Sequence, residues 1–108
     1  MLRHVALFRF KPETTDEQVE AAMVALSSLP DQIEVLRKLR FGSDAGVTEG
    51  AWDFAVVAVF DNADDYAAYR DDPAHVAMVQ NYLAPLIAEA ARIQFDSEGD
   101  SVPRTHGS

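Results

Sequence analysis

A chain of 108 residues, 48% apolar and 25% charged, has room for one domain with a real core and excludes wholesale disorder. Its formal charge is −9, from 18 Asp and Glu against 9 Lys and Arg, so its surface repels phosphate backbones and argues against a nucleic-acid partner. With no cysteine, thiolate catalysis, disulfides and cysteine-ligated metal centres are excluded together.

Residues 2 to 11, LRHVALFRFK, alternate with period two: Leu2, His4, Ala6, Phe8 and Phe10 point one way, Arg3, Val5, Leu7, Arg9 and Lys11 the other. This predicts a first strand, ended by Pro12. The start lacks the apolar stretch and small-residue cleavage site of a secretory signal, so a cytoplasmic protein is expected. Thr14 to Gln18 offers a capping box, and Val19, Ala22, Met23 and Leu26 recur at helical spacing, predicting a helix from Asp16 to Ser28 that stops at Pro30. Residues 35 to 42, VLRKLRFG, read as a second strand, followed by a loop from Gly42 to Gly50.

WDFAVVAVF, 52 to 60, is apolar on both parities and predicts a central strand; its uninterrupted apolar run, Phe54 to Phe60, is far too short to cross a membrane. Asp61-Asn62 caps a short helix holding Tyr66 and Tyr69, and Asp72-Pro73 starts another with Val76, Val79 and Leu83 as its buried stripe. Pro85 kinks or ends that helix, and ARIQF, 91 to 95, is a last short strand. The domain spans 1 to 96, and 97 to 108 is expected to be a mobile polar tail.

Strand, helix, strand, strand, helical pair, strand is the order of a ferredoxin-like α+β fold, βαββαβ, with an antiparallel sheet and helices on one face. If the helices cover the side bearing His4, Phe8, Trp52, Phe54 and Val56, the other side still carries Val5, Leu7, Ala55, Val57 and Val59. Leaving these wet forgoes roughly 1.5 to 3 kcal/mol for each larger side chain. A second copy laid sheet to sheet with two-fold symmetry would cover them, so the face count predicts a homodimer.

The opening HVALFRFK at 4 to 11, FDNADDYAAY at 60 to 69, the PAH triplet at 73 to 75 and LAPLI at 83 to 87 together resemble the stress-responsive A/B barrel domain, or dimeric α+β barrel, family. The resemblance covers residues 2 to about 96. It implies a ferredoxin-like subunit whose sheet pairs with a second subunit's to make a barrel. One branch of the family contains polyketide cyclases that close a linear poly-β-ketone by aldol chemistry, using a first-strand histidine, a tyrosine and a histidine six residues after it. Those positions are filled here by His4, Tyr69 and His75, which the resemblance implies as catalytic residues. Family stress proteins often carry His before the PAH triplet, whereas this chain has Asp72.

The chemistry open to these residues is cofactor-free. A neutral His75 could take a proton from carbon between two carbonyls while Tyr69 or His4 donates to the developing enolate oxygen. The start of the Pro73 helix disfavours imidazolium at His75, while Asp71 and Asp72 favour it. The plainer reading has His75 bonding a neighbouring backbone group and His4 satisfied within its strand. An apolar lining of Phe8, Met23, Leu26, Phe54, Met78, Val79 and Tyr82 suits a small hydrophobic or aromatic molecule. Two histidines without i, i+4 or H-x-H spacing predict no metal site. Gly42, Gly46 and Gly50 lack the lysine of a phosphate loop. A small-molecule-binding dimer with cyclase, isomerase or lyase activity is therefore the leading expectation, and a non-catalytic stress or assembly protein the alternative.

Overall fold

The computed structural model describes residues 1–97; residues 98–108, which hold nearly all of the expected polar tail, lie outside the described residues. Four strands, β1 (Leu2–Phe10), β2 (Lys38–Ser43), β3 (Phe54–Phe60) and β4 (Ile87–Asp96), form one antiparallel sheet in the order β2-β3-β1-β4. The helices are α1 (Asp16–Ser27), α2 (Leu29–Gln32), α3 (Ala63–Asp71) and α4 (Pro73–Met78). This is the ferredoxin-like arrangement, with β3 in the sheet interior as its two-sided apolarity requires.

Helix starts follow side-chain chemistry. Thr15 and Gln18 close a reciprocal capping box at α1, Asn62 accepts from the Asp65 amide at α3, and Asp72 accepts from the Ala74 amide at α4. Asn62→Ala is expected to cost about 1 kcal/mol by stranding that amide, read as a lower denaturant midpoint with an unchanged slope. Pro30 does not simply stop the chain after α1. It occupies the first turn of α2, where its missing N–H is harmless, so the backbone turns and continues helically.

The helices pack on the face of the sheet that carries His4, Ala6, Phe8, Phe54 and Val56, and Phe54, Phe60, Leu26 and Leu29 are the largest fully buried side chains. Trp52 departs from the expected parity. β3 begins only at Phe54, and the Arg9 guanidinium lies 4.4 Å from the Trp52 ring centroid, beside Leu7 and Ala55 on the open face. The last strand is ten residues rather than five, since pairing with β1 from Phe10 to Leu2 carries Glu89 and Ala90, poor strand formers, into the ladder, with Ala88 as the extra residue where the register shifts.

The open face of the lone chain carries Val5, Leu7, Ala55 and Val57, all half-buried. Val59, expected among the residues needing a partner, is only 4% exposed already. Its register neighbours are Arg3 and Lys38, whose long stems flank it, so it offers little surface to a second copy. β4 adds apolar side chains there that sequence parity did not single out. Ile93, opposite Val5, is 58% exposed and Phe95, opposite Arg3, is 43% exposed. Among the described residues no helix is long and apolar enough to cross a membrane.

Candidate functional site

The break between α3 and α4 builds the site. Pro73 has no amide hydrogen, and the Ala74 amide is held by the Asp72 carboxylate, so the last carbonyls of α3 lack their helical donors. The Asp72 amide reaches back to the Tyr69 carbonyl at 3.2 Å. The Arg70 carbonyl is taken by His75, whose Nδ1 lies 3.1 Å away. A carbonyl can only accept, so Nδ1 carries the hydrogen and the neutral ring keeps its lone pair on Nε2.

His4 has the opposite tautomer. On the helix-covered face of β1, its Nδ1 is 2.8 Å from the side-chain amide nitrogen of Gln94, its register partner on β4. The amide donates, so Nδ1 accepts and Nε2 holds the hydrogen. One imidazole thus presents a lone pair at Nε2 and the other an N–H at Nε2. The plainer reading of both histidines accounts for each Nδ1 and leaves each Nε2 unused.

Both rings line one cavity of about 310 Å³ between the sheet, α1, α3 and the α4 region. A chain of ring contacts fixes them: His4 to Tyr66 at 4.8 Å, Tyr66 to Phe60 at 5.7 Å, Phe60 to Tyr69 at 4.9 Å, and Tyr69 to His75 at 4.3 Å between centroids. No buried side-chain nitrogen or oxygen among the described residues lacks a hydrogen-bond partner. The groups left without one here, both Nε2 atoms and the Tyr69 hydroxyl, are therefore not fully buried, and all three residues line the cavity.

Burial lowers the pKa of His75 below the ordinary 6.5, outweighing the Arg70 carbonyl and the Asp72 carboxylate, which favour the charged ring. Asp71, the other carboxylate close in sequence, is committed to an ion pair with Arg70 at 2.9 Å. His4 is also lowered, first by burial, then by the positive charge of Arg92, then by that of His75 when protonated. Both rings are therefore neutral near pH 7. Burial, and after it Tyr66, raises the Tyr69 hydroxyl far above its usual range, so it stays protonated and able to donate.

Of the expected lining, Phe8, Leu26, Met78 and Val79 border this cavity. Three residues lie elsewhere. Phe54 is 2% exposed and packs inside the core against Phe10 and Phe41. Met23 faces a wider, more open depression of about 790 Å³ beside Phe10 and Lys11, away from both histidines. Tyr82 is 43% exposed. The reason is a wide turn over Val79–Leu83, closed by i to i+5 hydrogen bonding, which adds one residue to the helical phase. Leu83 takes the inward place that an unbroken helix would give Tyr82. Val76, ahead of that turn on α4, is 38% exposed and lies outside the expected buried stripe.

Tyr66, Val56, Ile87, Arg70 and Arg92 also line the cavity and were not singled out from sequence. Parity could not place Arg92, because only the register of β4 on β1 puts it beside Ala6, on the His4 face. Among the described residues no group of three or more His, Asp or Glu side chains could hold a metal ion.

The family model described as Stress Responsive A/B Barrel Domain matches residues 2–98. The chain is similar to a dimeric ferredoxin-like protein of unknown function from Thermobifida fusca, with 44% identity over 87% of this chain and 88% of that one, at a TM-score of 0.81. It is similar also to a dimeric protein of unknown function and ferredoxin-like fold from Bacteroides fragilis, with 29% identity over 89% of this chain and 95% of that one, TM-score 0.77. The hydroxynitrile lyase of Passiflora edulis shares the fold at 14% identity, 93% coverage of this chain, 96% of that one and TM-score 0.78. No curated protein matches the chain.

Proposed function

This chain belongs to the stress-responsive A/B barrel domain family, and from that premise we propose that it works as a homodimer that binds a small hydrophobic carbonyl compound and moves a proton on it without a cofactor. The observation that carries this reading is the pair of imidazoles of opposite tautomer lining one apolar cavity of about 310 Å³. His75 Nε2 is the base that takes a proton from carbon next to a carbonyl. His4 Nε2–H and the Tyr69 hydroxyl are donors for the oxygen on which charge develops. Aldol cyclisation and isomerisation next to a carbonyl both begin by forming such an enolate, so the common step is proton removal at carbon.

The apolar lining strengthens the donors by excluding water and keeps both rings uncharged at neutral pH. Val5, Leu7, Ala55 and Val57, with Ile93 and Phe95, make the sheet face that a second copy covers, in keeping with the dimeric neighbours.

The test uses metal-free protein in heavy water with a linear poly-β-ketone, following loss of the proton between two carbonyls by NMR and, separately, the appearance of ring-closed product. Exchange well above the buffer rate supports the reading. Exchange no faster than in buffer removes the catalytic part, and absence of binding removes the ligand cavity as well.

A further inference from the structure

Resting on the reading of the cavity as a ligand site, we propose that Arg92 anchors a carboxylate, so that the molecule held is a small apolar or aromatic acid. Every other arginine among the described residues is engaged. Arg3 bonds Ser97, Arg9 pairs with Glu89, Arg37 with Asp61, Arg70 with Asp71, and Arg40 bonds the Leu39 carbonyl. Among the described residues Arg92 has no such partner, although the chain carries twice as many acidic as basic residues. It lines the cavity from β4, next along the His4 face to Gln94, while the rest of that wall is Ala6, Phe8, Leu26, Val56 and Met78.

An unpaired guanidinium at the rim of an apolar cavity selects a ligand with one compact anionic end. Its planar fork of N–H donors matches a carboxylate with two parallel hydrogen bonds. A phosphate would need further donors, and the rest of the lining supplies few; Arg70, the other cation there, is already neutralised by Asp71. The carbon skeleton of the acid lies against the aliphatic and aromatic wall, and its anion holds it in one direction relative to His4. Arg92 is thus a specificity-determining residue, distinct from the groups that move the proton.

The test is NMR titration of the full-length dimer with 1-naphthoate and its neutral counterpart 1-naphthamide. Naphthoate is expected to bind about tenfold more tightly, ~1.4 kcal/mol. Arg92→Gln should abolish that preference by weakening naphthoate and leave naphthamide unchanged, whereas Lys11→Gln, beside the separate depression, should alter neither. Equal affinities for both compounds, or a preference that survives in Arg92→Gln, overturns the anchor while leaving the cavity reading intact. Failure of both compounds to bind removes the cavity reading and the anchor with it.

A second readout is the titration midpoint of His4. Because the charge of Arg92 disfavours its protonation, Arg92→Gln should raise the midpoint in the free protein, and bound naphthoate, but not naphthamide, should raise it in the wild type. A midpoint unmoved in both cases overturns the placement of Arg92 beside His4.

Discussion

His75→Ala is expected to lower the rate of proton exchange by about 10²-fold or more, the usual effect of removing a positioned general base. The loss falls on turnover and leaves ligand binding nearly unchanged, since the lining at Phe8, Leu26 and Met78 is untouched. The substitution also frees the Arg70 carbonyl, which loses a hydrogen bond worth about 1 kcal/mol. Added imidazole separates the two effects: partial recovery of rate points to a missing base, and no recovery together with full binding points to a structural role. Equal rates for wild type and His75→Ala would remove His75 from the mechanism.

The pH profile carries the sign of the same assignment. A base must be neutral to act, and burial holds His75 below 6.5 against the opposing pull of Asp72 and the Arg70 carbonyl. The rate should therefore rise through a midpoint below 6.5 and be flat across neutral pH. Asp72→Asn keeps an oxygen to cap Ala74 and removes the charge that favours imidazolium, so it should move the midpoint lower still. Stability follows in the same direction. With a depressed folded pKa at both His4 and His75, the unfolded chain takes up protons first, so stability is fully present above about 6.5 and is lost as pH falls through the folded midpoints. An acid limb at or above 6.5 would contradict a buried neutral base.

Ile93→Asp leaves the protein as single subunits at concentrations where the wild type is paired. Ile93 is 58% exposed on the open face, opposite Val5 and next to the Leu7 and Ala91 pair. Covering such a side chain contributes roughly 1.5 to 3 kcal/mol, and two-fold symmetry counts it twice. An unpaired carboxylate in the same dry contact reverses the sign. Association should weaken by about 10³-fold, read by sedimentation over a concentration series. Ile93→Ser should give an intermediate shift. A variant that remains dimeric at wild-type concentrations would mean that the sheet face is not the contact.

Legibility differed from element to element. The caps at Thr15, Asn62 and Asp72 could be read directly because a cap depends on residues within three positions of one another. β3 was equally clear, as apolar residues on both parities leave few alternatives. The first half of β4 was not, because Glu89 and Ala90 have no local preference for a strand and enter it through pairing with β1. Tyr82 lies outside the expected lining for a comparable reason, since one wide turn of the backbone changes the phase of everything after it, while Leu83 is buried as its place in the stripe implied.

The sequence by itself determined the order of the four strands and three main helices, the starts of those helices and the surplus of apolar side chains that one layer of helices cannot cover. Those features follow from periodicity and short-range hydrogen bonding, which act between near neighbours in the chain. Only the tertiary structure decided which nitrogen of each imidazole is free, that Arg92 stands unpaired beside His4, and that Ile93 and Phe95 share the open face with Val5 and Leu7. These depend on strand register and on the break between α3 and α4, where contacts between distant segments set the partner of each polar atom.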